Sequence, residues 1–212
     1  MIAGTEYRHS KPNDIHSEAL LLLEDNRLGY PYFIRRWQPK IEPAVDEEKK
    51  LIHIYGKNWK KIDENKYKKI IYNHNGFCFG VMICSELQNS KARINFQGKV
   101  DALVVLAWNK DIRTFSALIE SSALDIHSYV ILVNNRKYGD TRVRVPAKEE
   151  FKRDLARLSG GENDFCVVVE LDIGKLRAFQ SRAKRWPEDQ DPFKPVPEGF
   201  EISKTRKSLV PA

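Results

Sequence analysis

Two apolar runs, ALVVLAW at 102–108 and SYVILVNN at 128–135, flank a stretch whose apolar residues recur at helical spacing. Neither run alternates with polar residues, so each predicts a strand buried on both faces, the pattern of a sheet covered by helices. Between them Ile112, Phe115, Ile119, Leu124 and Ile126 fall largely on one side of a helix expected over 112–127. A buried strand, a helix and a second buried strand restrict the middle of the chain to an α/β arrangement.

The flanking sequence adds more sheet. Strands are predicted near 1–5, 18–24 and 31–36, with turn residues at Pro12-Asn13-Asp14 and Asp25-Asn26. Further strands are expected at 51–55, 66–72 and 77–83, and Asn73-His74-Asn75-Gly76 is a strong turn signal between the last two. A short helix is expected within 87–98. After the second buried strand come a Gly-Asp turn at 139–140, a strand at 142–145, a short helix near 148–157, a break at Gly160-Gly161 and a strand at 165–173. Asn134, Asn135 and Asp140 are polar residues of the kind that form turns. From about 181 the composition changes, and five of the ten prolines fall at 187, 192, 195, 197 and 211. This predicts one domain over 1–180 and a Pro-rich basic tail over 181–212 that wraps the domain or a partner chain, with Phe193 and Phe200 as anchors.

With 212 residues the chain can bury a sizeable core. Its 42% hydrophobic and 31% charged residues exclude a disordered or fibrous class. It has no run of 18 apolar residues, and its first twenty residues lack the basic-then-apolar plan of a secretion signal, so a cytoplasmic location with no membrane partner is expected. Cys78, Cys84 and Cys166 show no metal-ligand spacing and read as free thiols. The formal net charge of +7 is concentrated in KKLIHIYGKNWKKIDENKYKK and in SRAKRW, which ends on Trp186. Two readings stand: a nucleic acid or other acidic partner, or solvated lysine-rich edge strands and a basic tail. The aromatic-rich strand motifs of common single-strand binders are absent from the sequence, which argues against sequence-specific recognition of nucleic acid.

The stretch GFCFGVMICSEL at 76–87 carries the most chemistry: an apolar strand ends on Cys84, and Glu86 follows two residues later. A rigid strand end can present a nucleophile to a cleft, and a helix beginning there directs N–H groups at the thiolate. The alternative is a buried small hydrophobe, the commonest fate of a free cysteine, and Cys78 and Cys166 inside apolar strands fit it.

GFCFGVMICSEL also resembles the nucleophile elbow of the nitrilase, or carbon–nitrogen hydrolase, superfamily. The resemblance continues through DALVVLAWNKD at 101–111, FSALIESSALDIHSYVILVNN at 115–135, YGDTRVRVP at 138–146 and DFCVVVELDIGKLRAFQ at 164–180. Upstream, IAGTEY at 2–7 and YFIRRWQPKIEPAVDEE at 32–48 are similar to the segments that precede the cysteine in that family. The ordered succession over roughly 1–180 carries the resemblance.

It implies an α/β fold of the α-β-β-α sandwich type, incomplete at the N-terminus, and a Glu-Lys-Cys triad that hydrolyses a small-molecule amide or nitrile through a thioester without metal or cofactor. Carried over by position, Cys84 is the nucleophile, Lys40 the lysine, and Glu48 or its neighbour Glu47 the glutamate that orients the lysine. Trp108 and Asn109 fall where the family's next strand delivers substrate-pocket residues; core packing explains Trp108 equally well. The general-base glutamate of the family has no counterpart, and Glu6 and Glu18 lie at the wrong points in the order to replace it. The resemblance further implies a homo-oligomer. It leaves open a catalytically inactive fold that serves assembly of a larger protein, such as the reverse transcriptases of antiviral (phage) defence to which nitrilase-like domains are appended, where nucleic acid would be a partner of the parent protein.

Overall fold

The computed structural model describes residues 1–5, 7–60, 62–63, 70–182 and 188–210. They form two compact units, Met1–Ile70 and Ile71–Ala212. The first holds strands β1 (Ile2–Gly4), β2 (Arg8–Lys11), β3 (Asp14–His16), β4 (Glu18–Asp25) and β5 (Tyr32–Pro39), helix α1 (Val45–Tyr55) and strand β6 (Asn58–Trp59). β1, β4 and β5 make an antiparallel sheet, and β2, β3 and β6 a small second one. The β4–β5 ladder keeps one register from Glu18 opposite Pro39 to Asp25 opposite Tyr32. Alternation along it then puts Ala19, Leu21 and Gln38 on one buried face.

The expected strand at 51–55 is instead the last part of α1. The alternation of Leu51-Ile52-His53-Ile54-Tyr55 suggested a strand, but the helix signals lie upstream: Asp46, Glu47 and Glu48 occupy the first turn, and Glu47 accepts a hydrogen bond from the Ala44 N–H at 2.9 Å. Gly56 closes the helix in left-handed backbone at φ 57. Only Leu51 of the helix is buried, while Ile52, Ile54 and Tyr55 are exposed.

The second unit is built on a six-stranded sheet. β7 (Ile71–His74) and β8 (Phe77–Ile83) form a hairpin whose two-residue loop, Asn75 and Gly76, takes positive φ at both positions, as the right-handed twist of the strands demands. Residues 66–69 of the strand expected at 66–72 lie outside the described residues. After β8 come a 3-10 turn (Cys84–Gln88) and α2 (Ser90–Ile94), the short helix expected within 87–98. β9 (Ala102–Ala107), α3 (Ile112–Ile126) and β10 (Tyr129–Asn134) follow as predicted, and β8, β9 and β10 run parallel. β11 (Gly139–Arg144) and β12 (Asp154–Ser159) complete the order β12-β11-β10-β9-β8-β7. Met82, Leu103, Val105, Val130 and Leu132 pack on one face against Phe96 and against Phe115, Ile119, Ala123 and Ile126 of α3. A Cβ at Gly80 would collide with the Phe96 ring, so glycine there allows the ring to lie on β8.

Two expectations beyond β11 fail. The helix near 148–157 is a 3-10 turn at Glu150–Lys152 followed by β12, whose alternating Asp154-Leu155-Ala156-Arg157-Leu158-Ser159 has the period of a strand. The segment expected as a strand at 165–173 pairs with no strand among the described residues, and its last residue begins helix α4 (Ile173–Gln180), capped by Asp172.

Residues beyond 181 contribute to packing. Phe193 joins Ala102, Tyr129, Val145, Leu176 and Phe179 in a second cluster, and Arg206, in the short helix α5 (Lys204–Lys207), is 0% exposed. Arg206 Nε donates to Asp101 Oδ1 at 2.9 Å, Arg177 Nε donates to the same atom at 2.8 Å, and the Cys78 N–H donates to Asp101 Oδ2 at 2.8 Å. Arg206 Nη2 donates to Gln180 Oε1 at 2.7 Å, which turns the Gln180 amide nitrogen toward His127 Nδ1 at 3.0 Å. That fixes the tautomer: Nδ1 accepts, and Nε2–H donates to the Lys194 carbonyl at 2.8 Å.

Burial holds the His127 pKa down to about 4, outweighing its hydrogen bonds to backbone, and nearby Arg206 lowers it further. The unfolded chain takes up this proton near 6.5 and the folded chain only near 4, so the unfolded state binds more protons throughout that window. Stability therefore falls as pH drops through it, by roughly 3 kcal/mol in all. His127 sits at φ 53, which asparagine tolerates. Urea unfolding of the parent and of His127→Asn at about pH 7 and about pH 4.5 should show a shallower acid loss in the variant, the difference being the His127 contribution.

Candidate active site

The carboxyl ends of β8, β9 and β10 open at one edge of the sheet, where α/β proteins place their ligand sites. The residue that leaves β8 is Cys84. It holds φ 49, left-handed backbone that a non-glycine residue adopts at a cost of about 1–3 kcal/mol. The turn is fixed from both sides: Ile83 ends the strand, and the Glu86 carboxylate, buried, accepts the Ile83 N–H at 2.8 Å. At this sharp reversal from strand to helical turn Cys84 is half-buried and packs against the apolar cluster of Met82 and Phe96, while Cys78 is buried and Cys166 exposed.

At the end of β9, Trp108 is 68% exposed, so packing in the core does not explain it. Asn109 is held by Asn134 at the end of β10: the Asn109 N–H donates to Asn134 Oδ1 at 2.9 Å, and Asn134 Nδ2 donates to the Asn109 carbonyl at 2.8 Å. The same nitrogen donates to the Gly139 carbonyl at 2.8 Å, so one buried amide joins the ends of three strands. Asn135 accepts the Lys137 N–H in a local turn, and Asp140, at φ 64, binds Arg142 and Arg157.

Lys40 belongs to the first unit. It follows β5, its N–H donates to the Ser17 carbonyl at 2.9 Å, and it is 2% exposed. A buried ammonium needs a counter-charge, and Lys40 Nζ donates to Glu47 Oε2. The other oxygen of Glu47 accepts the Tyr7 hydroxyl at 2.7 Å, and the Trp59 ring lies 5.7 Å from Nζ. Trp59 is oriented by its Nε1–H bond to the Ile41 carbonyl at 3.1 Å and meets Tyr7 edge to face at 6.5 Å. Of the Glu47-Glu48 doublet, Glu47 is therefore the lysine's partner, while Glu48 is exposed. Tyr7 and Trp59 went unnoticed in the sequence because no local pattern links positions so distant from Lys40. Glu18 is buried on β4, where it binds Arg8 and lies 3.3 Å from His16; Glu6 is outside the described residues.

No family model matches the sequence, and no curated protein matches it. Solved structures do match in fold. An amidase from Nesterenkonia sp. superposes with a TM-score of 0.53 at 12% identity, over 76% of this chain and 57% of that one. A CN-hydrolase superfamily protein from Xanthomonas campestris, which carries an arsenic adduct in its active site, gives 0.56 at 10% identity, over 84% and 65%. A further structure of the Nesterenkonia amidase, with acrylamide added at its active-site cysteine, gives 0.51 at 11% identity, over 74% and 58%. The fold is nitrilase-like. This nitrilase-like chain spans 57–65% of the length of those three structures. Among the described residues no group of three or more His, Cys, Asp or Glu is placed to hold a metal, and no helix is long and apolar enough to cross a membrane.

The Lys40 arrangement separates the two glutamates by experiment. Glu47→Gln leaves a buried ammonium without its counter-ion and should cost about 3–5 kcal/mol in urea unfolding, whereas Glu48→Gln should stay within about 0.5 kcal/mol of the parent.

Proposed function

We propose that this nitrilase-like fold carries the cysteine and lysine of a thiol amidohydrolase acting on a small amide or nitrile. The observation that supports it best is Cys84 at φ 49, at the carboxyl end of a buried parallel strand. Structural cysteines have no need of that backbone, and strain of this kind collects at sites that use it. The similar fold of the Nesterenkonia amidase holds an active-site cysteine that adds acrylamide, which is the chemistry of an accessible thiolate.

On an amide the Cys84 sulfur bonds to the carbonyl carbon, the carbon–nitrogen bond breaks, and the amine leaves with a proton. Water then splits the thioester, releasing the acid and returning the thiol. Lys40 supplies the ammonium that stabilises the tetrahedral oxyanion, with Glu47 fixing its position. Turnover requires a carboxylate other than Glu47 as general base and acid, the glutamate for which this sequence holds no counterpart by position. Trp108 and Asn109, at the same sheet edge as Cys84, contact the substrate.

Iodoacetamide alkylation followed by peptide mass spectrometry tests the nucleophile, with exposed Cys166 as the accessible-thiol control and buried Cys78 as the inaccessible one. At about pH 6, Cys84 should react at least about tenfold faster than Cys166, because only a thiolate attacks. Cys84→Ala should abolish ammonia release from acrylamide or another small amide with the fold intact by circular dichroism. If Cys84 reacts no faster than Cys166, the amidohydrolase reading fails, and the fold serves assembly of a larger protein without turnover.

A further inference from the structure

Pro192, Pro195 and Pro197 give the segment before α5 the sequence of a linker, but it lies along the second unit as a strap. Backbone hydrogen bonds tie it at two places. The Lys148 N–H donates to the Pro192 carbonyl at 2.8 Å and the Lys194 N–H to the Pro146 carbonyl at 2.9 Å, while the Ser203 N–H donates to the Gly98 carbonyl at 2.8 Å. A Cβ at Gly98 would lie 1.8 Å from the Glu201 carbonyl oxygen, so the second tie is backbone against backbone. The strap also covers His127. Phe179 of α4 stacks on the imidazole at 5.7 Å, and Phe193 and Phe200 of the strap meet it at steep angles, at 6.4 Å and 5.8 Å, leaving the residue fully buried.

The hydrogen bonds around this ring run in one direction only. A guanidinium has no acceptor, so Gln180 Oε1 accepts from Arg206, Gln180 Nε2 faces the ring, and His127 Nδ1 accepts from it. On the other side Nε2–H donates to the Lys194 carbonyl of the strap. A second proton on the ring would set an Nδ1–H donor against the Gln180 amide N–H. Turning the amide over moves the conflict without removing it, because its nitrogen then faces Arg206. The surrounding charges offer no compensation. Arg206 of α5 is the charge that acts on the ring, Asp101 is shared by Arg206 and Arg177 of α4, and Arg182, over the Phe179 ring, is paired with Asp191.

Lifting the strap removes Phe193, Phe200 and Arg206 from the imidazole and admits water. Asp101 then still holds Arg177 and the Cys78 N–H. The cluster between the sheet and α3 contains no strap residue, so it survives the opening.

We propose that residues 192–209 form an acid-released strap latched by His127, closed while the imidazole is neutral and lifted from the unit when the ring takes up a second proton. Exposed, the ring gains that proton near 6.5; covered, only near 4. The open form binds more protons in that window, so its population rises as pH falls through it.

Residue-resolved hydrogen exchange on the full chain, corrected for the intrinsic pH dependence of exchange, compares the amides of Lys148, Lys194 and Ser203 with those of Val105 and Leu132 in the sheet. From about pH 7 to about pH 4.5 the opening equilibrium of the first three should rise at least about tenfold, while the sheet amides keep their protection. Gln180→Glu places a carboxylate that accepts from Arg206 and from an imidazolium Nδ1–H together, and should hold the strap closed at the lower pH. His127→Asn removes the titrating group and should show the same strap protection at both pH values. Should one variant not fold, the other carries the comparison. Strap amides as protected at about pH 4.5 as at about pH 7, strap and sheet amides opening together, or acid opening that persists in either variant each overturns the latch.

Discussion

A single buried carboxylate ties the second unit together. Asp101 stands immediately before β9, fully buried, and its two oxygens take the Cys78 N–H at the start of β8, Arg177 from α4 and Arg206 from α5. Arg177 also donates to the Gly76 carbonyl in the β7–β8 turn, at 2.5 Å, and Arg206 to the Gly98 carbonyl at 3.1 Å. Two guanidinium groups share one carboxylate, and the excess charge is spread over backbone carbonyls and Gln180. Such a cluster gives little net stability against an apolar replacement, but loss of one member would leave the others buried and unpaired. Its effect is positional. It fixes where β8 begins, where the carboxyl-terminal segment lies and which nitrogen of His127 carries the proton.

The position of Cys84 follows from that anchoring. β8 is fixed at its amino end through Cys78 and Asp101 and at its carboxyl end through Ile83 and Glu86, with Gly80 between them allowing Phe96 to cover the strand. A strand held at both ends can carry a left-handed residue at its exit, because breaking either anchor would leave a buried polar group unsatisfied at a cost of about 1–3 kcal/mol, comparable with the strain at Cys84. Asn134 acts similarly for the neighbouring loop, setting Asn109 by two hydrogen bonds and joining it to Gly139 by a third.

The parts of this fold legible in the sequence are those whose signal is local. The buried strands β9 and β10 and the stripe on α3 were readable because burial on two faces and a 3.6-residue period leave marks within a few residues. So was Cys84, whose place after an apolar strand follows from the order of residues alone, though its left-handed φ does not. The errors came from conflicts between local signals. Leu51–Tyr55 alternates like a strand, yet the acidic turn before it and Gly56 after it decide for a helix. Phe165–Leu171 has strand composition, and composition cannot supply a neighbour to pair with. The Asp101 cluster was invisible because its members are separated by tens of residues, and Arg206 looked like part of a basic tail. The choice of Glu47 over Glu48 needed the direction in which α1 presents its first turn.

Lys40 shows how the first unit compensates a buried charge. Burying an ammonium costs several kcal/mol unless a carboxylate and further polar groups compensate it. Here the compensation is layered: Glu47 neutralises the charge, Tyr7 and the Ala44 N–H hold Glu47, and the Trp59 ring faces the ammonium while its own N–H is tied to Ile41. An exposed lysine would need none of this, and an apolar side chain at position 40 would fill the same space at lower cost. Stability alone therefore does not account for the arrangement. A fixed, desolvated ammonium does have a use in stabilising an anion, because no water has to reorganise when the negative charge develops beside it.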